Sequence, residues 1–414
     1  MNKKLLCSLV LGSFLLAGCG EKTITPKEPD YSGLFTLVSP DEPVCMVNDK
    51  VKQYTDGIYA QRAAAGVDAA DEDKIVDPLY GETMKVGTLY GDYDECKPVE
   101  LSFTVDETIK EEAMKVRYWV EGKEDQYKEI VATDGKVSLE NLFRSSKYEW
   151  QVISESGKKS KVDSFETGDY VRFLNVGSIP NFRDNGGWTT VDGKRIKQGM
   201  VYRGFELNDH DLTTKPDHKA NIHGDDDPGK KVFVEDLGIR AEVDLRSDSE
   251  ADNITRCGMN LTTVTEDDPT FVSYERLQIS SYADGLTGSK ANIKKIFENY
   301  LANADEKPVY YHCYGGADRT GTIGFLLGAI LGMSYSDLII DYEATTFSSN
   351  LKEHDRNSDQ WTKFPQMIAE IKSWSYYSAS KPLSEVIETY LTQDVGVSAA
   401  KIAKIKDIML EDID

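Results

Sequence analysis

The most informative segment of this 414-residue chain reads Val309-Tyr310-Tyr311-His312-Cys313-Tyr314-Gly315-Gly316-Ala317-Asp318-Arg319-Thr320-Gly321. Apolar residues at its start predict a buried strand, and the apolar run from Thr320 to Leu331 predicts a helix directly after it. A loop that enters a helix in this way points backbone N–H groups and the positive end of the helix dipole at one spot, where an anion binds. Gly315 and Gly316 permit the tight turn that such a loop needs. The segment therefore predicts an α/β fold with an anion-binding loop.

Two side chains of this loop, Cys313 and Arg319, predict its chemistry. The field that binds an anion also favours the thiolate of Cys313, which can attack phosphorus in line. Arg319 offers a planar fork to two phosphoryl oxygens. We expect Thr320 to donate its hydroxyl to the departing sulfur and His312 to brace the loop. The phosphate-binding residues are expected to be Tyr314, Gly315, Gly316, Ala317, Asp318 and Arg319.

The residues around the loop resemble the Cys-x5-Arg protein tyrosine phosphatase superfamily, and in particular its bacterial branch with a His-Cys-x-x-Gly-x-Asp-Arg-Thr-Gly loop. The resemblance spans about residues 172–410 and implies a metal-independent phosphomonoesterase with a cysteinyl-phosphate intermediate. No cofactor and no metal are expected, and none of the five histidines stands in a zinc pattern. Two further segments fit the branch, Asn181-Phe182-Arg183-Asp184-Asn185-Gly186-Gly187 with Tyr202-Arg203-Gly204, and Val243-Asp244-Leu245-Arg246-Ser247 with Glu250.

One loop position departs from that branch and bears on the substrate. Ala317 stands where the branch often has Lys, which removes a positive charge from the rim of the pocket. The expected substrate is therefore phosphotyrosine or a related aryl monoester rather than a multiply charged phosphoinositide. A phosphoinositide or inositol phosphate phosphatase, and a phosphate-binding module without turnover, remain the alternatives.

The proton donor for the leaving oxygen is left open among three carboxyl groups. Asp284 lies 29 residues before Cys313, with room between them for one helix and one strand, so both are expected at the carboxyl edge of a parallel sheet. Asp244 ends a neighbouring predicted strand and is the rival, and Asp318 in the loop is the third candidate. The alternative for Asp244 is a salt bridge to Arg246 or Arg183.

Three charged residues of the resembling segments have two possible roles. They either line the phosphate pocket or lock the strands together, and these residues are Arg183, Asp184 and Arg203.

Two domains are predicted from the change in hydrophobic period. From Val99 onward, short stretches alternate apolar and polar residues, which indicates a small all-β sandwich. Its core, about residues 98–168, resembles a fibronectin type III module and lies within an N-terminal region of residues 41–168. In residues 169–414, strands alternate with helices, which predicts a catalytic domain with a mostly parallel central sheet flanked by helices.

The N-terminus resembles that of a bacterial lipoprotein. Two lysines, a short apolar stretch and Leu16-Ala17-Gly18-Cys19 predict a signal peptide over residues 1–18, a lipid on Cys19 and a tether over residues 19–40. The protein is then exported and anchored to a bacterial membrane, on its periplasmic or cell-surface face. The net charge of −23 disfavours nucleic acid and anionic headgroups, so the lipid is the expected membrane contact. Export permits a disulfide, expected between Cys45 and Cys96.

Overall fold

The structure is a computed structural model that describes residues 29–64, 66, 74–75, 96–177, 179–207, 224–251, 254–348 and 363–413. The predicted signal peptide and Cys19 lie outside these ranges. No helix within them combines the length and the apolar character needed to span a bilayer.

Among the described residues of the N-terminal part, seven strands form two antiparallel sheets, with orders β1-β2-β5 and β4-β3-β6-β7. Alternate residues of each strand point inward; on β6 these include Tyr148, Trp150 and Val152, and all three are buried. Side chains from both sheets share one hydrophobic cluster. The strands are β1 (Phe35–Val38), β2 (Val99–Val105), β3 (Met114–Val120), β4 (Lys128–Val131), β5 (Lys136–Leu139), β6 (Lys147–Ser154) and β7 (Asp163–Glu166).

The first of these strands corrects the expected tether. The interval 19–40 was expected to be a linker, but Phe35–Val38 pairs antiparallel with the end of β2, and Phe35 enters the cluster of the two sheets. The prediction was wrong here because the apolar stretch from Leu34 to Val38 is short, and the residues that pair with this strand lie 64 to 70 positions further along the chain.

The helix α1 (Asp49–Ala64) precedes β2 in sequence but packs with the C-terminal part of the chain. Its buried side chains, among them Val51, Tyr54 and Ile58, recur at helical spacing and belong to the large C-terminal cluster. The ring centroids of Tyr54 and Phe347 are 5.4 Å apart. The expected boundary at residue 169 therefore does not separate this helix from the catalytic part.

Backbone contacts near α1 bring the two cysteines of the predicted disulfide into one neighbourhood. Val47 forms an antiparallel bridge with Cys96, and the Sγ of Cys45 donates to the carbonyl oxygen of Val47 at 3.5 Å. Both residues are free cysteines in this structure, and the disulfide between Cys45 and Cys96 stays a prediction.

The C-terminal part has a five-stranded sheet of order β12-β11-β13-β10-β8. Four of its strands are parallel, and β8 is antiparallel to β10 at the edge. A separate antiparallel pair joins β14 to β9. The strands are β8 (Arg183–Asp184), β9 (Lys194–Ile196), β10 (Val201–Gly204), β11 (Ala241–Asp244), β12 (Ser273–Arg276), β13 (Val309–His312) and β14 (Leu410–Asp412).

Helices accompany this sheet and confirm the predicted α/β class. The helix that follows the central strand β13 is α5, in which every residue from Thr320 to Ile330 is buried. The carboxyl ends of β10, β11 and β13 meet at one edge, where sites form in parallel sheets. The helices are α2 (Pro228–Lys231), α3 (Tyr282–Gly288), α4 (Lys290–Lys295), α5 (Asp318–Ile330), α6 (Tyr335–Glu343), α7 (Lys363–Ser373), α8 (Leu383–Thr389) and α9 (Ala399–Met409).

Candidate active site

The loop that carries Cys313 joins the central strand β13 to α5. β13 is buried along its whole length between β10 and β11, and His312 is paired in register with Gly204 on one side and Asp244 on the other. Cys313 is the first residue beyond the strand, and Arg319 lies in the first turn of α5. The fold therefore brings the predicted nucleophile and the predicted phosphate clamp to one end of the sheet.

Gly316 is the loop position that no other residue can fill. Its φ is +69°, and a Cβ added there would lie 2.2 Å from the carbonyl oxygen of Gly204. The loop thus packs directly on the backbone at the end of β10. This close contact fixes the path of the chain between Cys313 and Arg319.

Two carbonyl groups of the loop accept hydrogen bonds from buried side chains. Asn181 donates its Nδ2 to the carbonyl oxygen of Gly315, and Arg203 donates its Nη2 to that of Gly316, each at 3.0 Å. In a planar trans peptide the N–H points away from the C=O. The N–H groups that follow these two carbonyls therefore face the opposite side, where the sequence predicts the anion site.

The contacts of the three charged residues from the resembling segments match the locking alternative. All three are buried, with exposed fractions of 1% or less. Arg203 also donates to Asp341 at 2.7 Å, and Arg183 donates to the carbonyl oxygen of Asp341 at 3.1 Å. Asp184 accepts from Arg172 and from two backbone N–H groups. Arg183, Asp184 and Arg203 therefore brace the loop and its strands, and their contacts do not support a position on the pocket wall.

Arg319 is held by a carboxylate that the sequence analysis did not assign. Its Nη1 and Nη2 donate to the two oxygens of Glu250 at 2.6 and 2.8 Å. The hydrogen bond from Arg319 is the main cause that lowers the pKa of Glu250 to about 2. Burial lowers the pKa of Arg319, but Glu250 and the charge of Cys313 outweigh it and raise that pKa. The signal for Glu250 in the sequence was its position shortly after Val243–Ser247, in a segment that resembles the phosphatase family.

Two residues predicted to support the loop are fully buried at its ends. The Nδ1 of His312 lies 2.9 Å from the carbonyl oxygen of Cys313, in keeping with a bracing role. Within the described part of the chain, the Oγ1 of Thr320 has no hydrogen-bond partner. The predicted bond from Thr320 to the sulfur stays a prediction.

The surroundings of Asp244 are those of a structural carboxylate. It is fully buried, and it accepts from Nε and Nη2 of Arg246 and from the hydroxyl of Tyr274. Burial raises the pKa of Asp244, but His312 and Arg246 outweigh it and bring the value to about 2. A group with no proton at neutral pH and with both oxygens bonded is a poor proton donor. The contacts match the predicted alternative of a salt bridge to Arg246.

The other two candidate acids lie on helices that pack together. Asp284 is exposed in the first turn of α3, and Asp318 begins α5. Tyr282, at the start of α3, donates its hydroxyl to Asp318 and its backbone N–H to Thr322. Its φ of +55° is a strained value for a side chain of this size. The contacts of Asp284 and Asp318 exclude neither of them as the proton donor.

A cysteine and an arginine held in a loop between a central parallel strand and a helix define a class of phosphate-binding catalytic sites. The sequence pattern of the tyrosine phosphatase family matches residues 174–411, which is more than half of the chain. The chain belongs to that family, and it is a cysteine-based phosphoric monoester hydrolase.

No protein with a curated description matches the chain. Among solved structures, it is similar to the core catalytic domain of the PP-IP phosphatase SIW14 from S. cerevisiae, determined in complex with citrate. The two are 13% identical, the match covers 55% of this chain and 96% of that one, and the TM-score is 0.28.

Proposed function

We propose that the protein is a metal-independent protein-tyrosine phosphatase in which Cys313 is the nucleophile and Arg319 binds the phosphoryl oxygens. The observation that carries the proposal is the loop between β13 and α5, whose carbonyl groups are bonded from behind by Asn181 and Arg203. The backbone N–H groups and the guanidinium then converge on a bound phosphate.

The reaction proceeds in two displacements. The thiolate of Cys313 attacks phosphorus, an S–P bond forms, and the bond from phosphorus to the tyrosyl oxygen breaks. Asp284 or Asp318 gives its proton to that oxygen as it leaves. Water then attacks the cysteinyl phosphate and gives a proton back to the same carboxylate, the S–P bond breaks, and inorganic phosphate and the thiolate are released. Thr320 donates its hydroxyl to the sulfur in this second step.

The proposed substrate is an aryl monoester because the loop has a single cationic side chain, Arg319, and Ala317 adds none. A substrate that carries several phosphate groups would gain little binding energy from a pocket with so few positive charges. An inositol phosphate phosphatase remains the second candidate. A phosphate-binding module without turnover has no use for a thiol at position 313.

Turnover of para-nitrophenyl phosphate in the presence of a metal chelator tests the proposal. We expect activity in the wild type and loss of all but a few per cent of it in Cys313→Ser, with phosphate binding retained because the loop and Arg319 remain. Substantial turnover by Cys313→Ser would contradict the role of the thiol. Comparison of phosphotyrosine peptides with inositol phosphates then identifies the substrate class.

We further propose that the protein is exported and anchored to a bacterial membrane through a lipid on Cys19. The support is the sequence from Lys3 to Cys19. The two sheets built from β1 to β7 are then a fibronectin type III-like spacer with its core at about residues 98–168, ahead of a catalytic domain over residues 169–414. Cys19→Ala should lose incorporation of labelled palmitate and leave the membrane fraction. Unchanged labelling would rule out this anchor.

A further inference from the structure

The imidazole of His312 is fully buried between two hydrogen-bond acceptors. Its Nδ1 lies 2.9 Å from the carbonyl oxygen of Cys313, and its Nε2 lies 2.8 Å from Oε1 of Glu242. Neither a carbonyl nor a carboxylate oxygen can donate a proton. A neutral imidazole has one N–H, so it can satisfy only one of these contacts. Both bonds form together when both ring nitrogens carry protons, and the ring is then a cation.

The charges around the ring favour the same state. Asp244 and Glu242 face it from the neighbouring strand β11, and Arg246 follows on the same segment. Burial lowers the pKa of His312, but Asp244 and Glu242 outweigh it and raise that pKa. On its own strand, the ring of Tyr310 lies 5.5 Å away. Other titratable groups of this cluster are Glu206, which bonds to Arg246, Tyr274 on β12, which donates to Asp244, Cys257, which contacts Glu242, and Cys313 itself.

We propose that Glu242 is a positioning residue that keeps His312 protonated, so that a buried imidazolium stabilises the thiolate of Cys313 and fixes the first carbonyl of its loop. The proposal rests on the proposed function of Cys313 as nucleophile. Glu242 lies on β11, behind the loop, and is 1% exposed, so it acts through His312.

Glu242→Gln removes the negative charge of the side chain and keeps its size and shape. Its amide can donate to Nε2 while the Nδ1 proton still reaches the carbonyl oxygen of Cys313, so a neutral His312 keeps both bonds. The first readout is the rate of alkylation of Cys313 by iodoacetamide against pH, with Cys313→Ser as the background. We expect the pH midpoint to rise by about one unit, which lowers the thiolate fraction about tenfold below the midpoint.

Glu206→Gln is the matched control because it removes a buried carboxylate that bonds to Arg246 and not to His312. Loss of that negative charge leaves the midpoint unchanged or lowers it. An equal rise in both variants, or no shift in a folded Glu242→Gln protein, would overturn the proposal.

A second readout uses the wild type alone and does not depend on the stability of any variant. Nitrogen NMR of histidine-labelled protein reports whether each ring nitrogen carries a proton. We expect both nitrogens of His312 to be protonated between about pH 5 and 8, with the resonance assigned by its absence in His312→Asn. A neutral His312 at pH 7 would refute the proposal. Absence of phosphatase turnover with these two results intact would instead refute the proposed function.

Discussion

At the residue scale, the geometry of Arg319 matters more than its charge. Its fork is held in one plane by the two oxygens of Glu250. Arg319→Lys keeps the charge but cannot contact two phosphoryl oxygens at once. We expect kcat/KM to fall about 100-fold or more, roughly 3 kcal/mol of transition-state stabilisation. Steady-state kinetics on para-nitrophenyl phosphate measure this, and a fall below tenfold would show that Arg319 is not the clamp.

The choice between Asp284 and Asp318 can be settled by varying the leaving group. We expect Asp284→Asn to depress kcat strongly on phenyl phosphate, whose leaving oxygen is basic, and much less on a coumarin phosphate. The basic limb of its kcat profile should flatten. Asp318→Asn is the matched variant, since an amide oxygen can still accept from Tyr282. If only Asp318→Asn depends on the leaving group, the loop residue is the acid and the spacing argument for Asp284 fails.

At the scale of the element, Asp244 secures the end of β11 through Arg246. Asp244→Asn removes one of the carboxylates that pair with the buried guanidinium of Arg246. We expect a loss of about 3–5 kcal/mol in the free energy of unfolding at neutral pH. The folded-state pKa of Asp244, about 2, lies below the ordinary value of 3.8. Its contribution is therefore complete above the ordinary value and is lost as the pH falls toward 2.

Urea unfolding at pH 7 and near pH 3 measures this contribution. The difference in the free energy of unfolding between the wild type and Asp244→Asn should be smaller at the lower pH. Activity per folded molecule should fall equally on phenyl and coumarin phosphates. A strong leaving-group dependence in this variant would return Asp244 to the list of proton donors.

The elements around the loop could be predicted from sequence because their signals are local. An apolar run, a glycine turn and a second apolar run are adjacent in the chain, and they fix β13, the loop and α5. The strand β1 and the placement of α1 could not be predicted in the same way, because their partners lie far along the chain. Glu242 was missed because a carboxylate on a strand looks like any outward-facing residue until His312 is seen beside it.

At the scale of the whole molecule, α1 makes the catalytic part dependent on residues that lie between the first two strands of the sandwich. Tyr59 donates to Asp337 at 2.7 Å, and Ile58 is fully buried beside the C-terminal core. Ile58→Ala should therefore lower the stability of the catalytic part by about 2–5 kcal/mol. Thermal loss of activity measures this, and Gln53→Ala on the exposed face of the same helix is the control. Equal midpoints in the two variants would show that α1 is dispensable.

The bond between Tyr59 and Asp337 joins residues 278 positions apart. A ribosome that makes this chain completes α1 long before α6 exists, while the sandwich strands that follow α1 can already pair with one another. Contacts of such long range close late, because much chain entropy is lost before they form. During synthesis the apolar face of α1 stays without this partner until α6 emerges. We expect this helix, which is made before the helices that it packs against, to reach its final position late and to depend on a chaperone meanwhile.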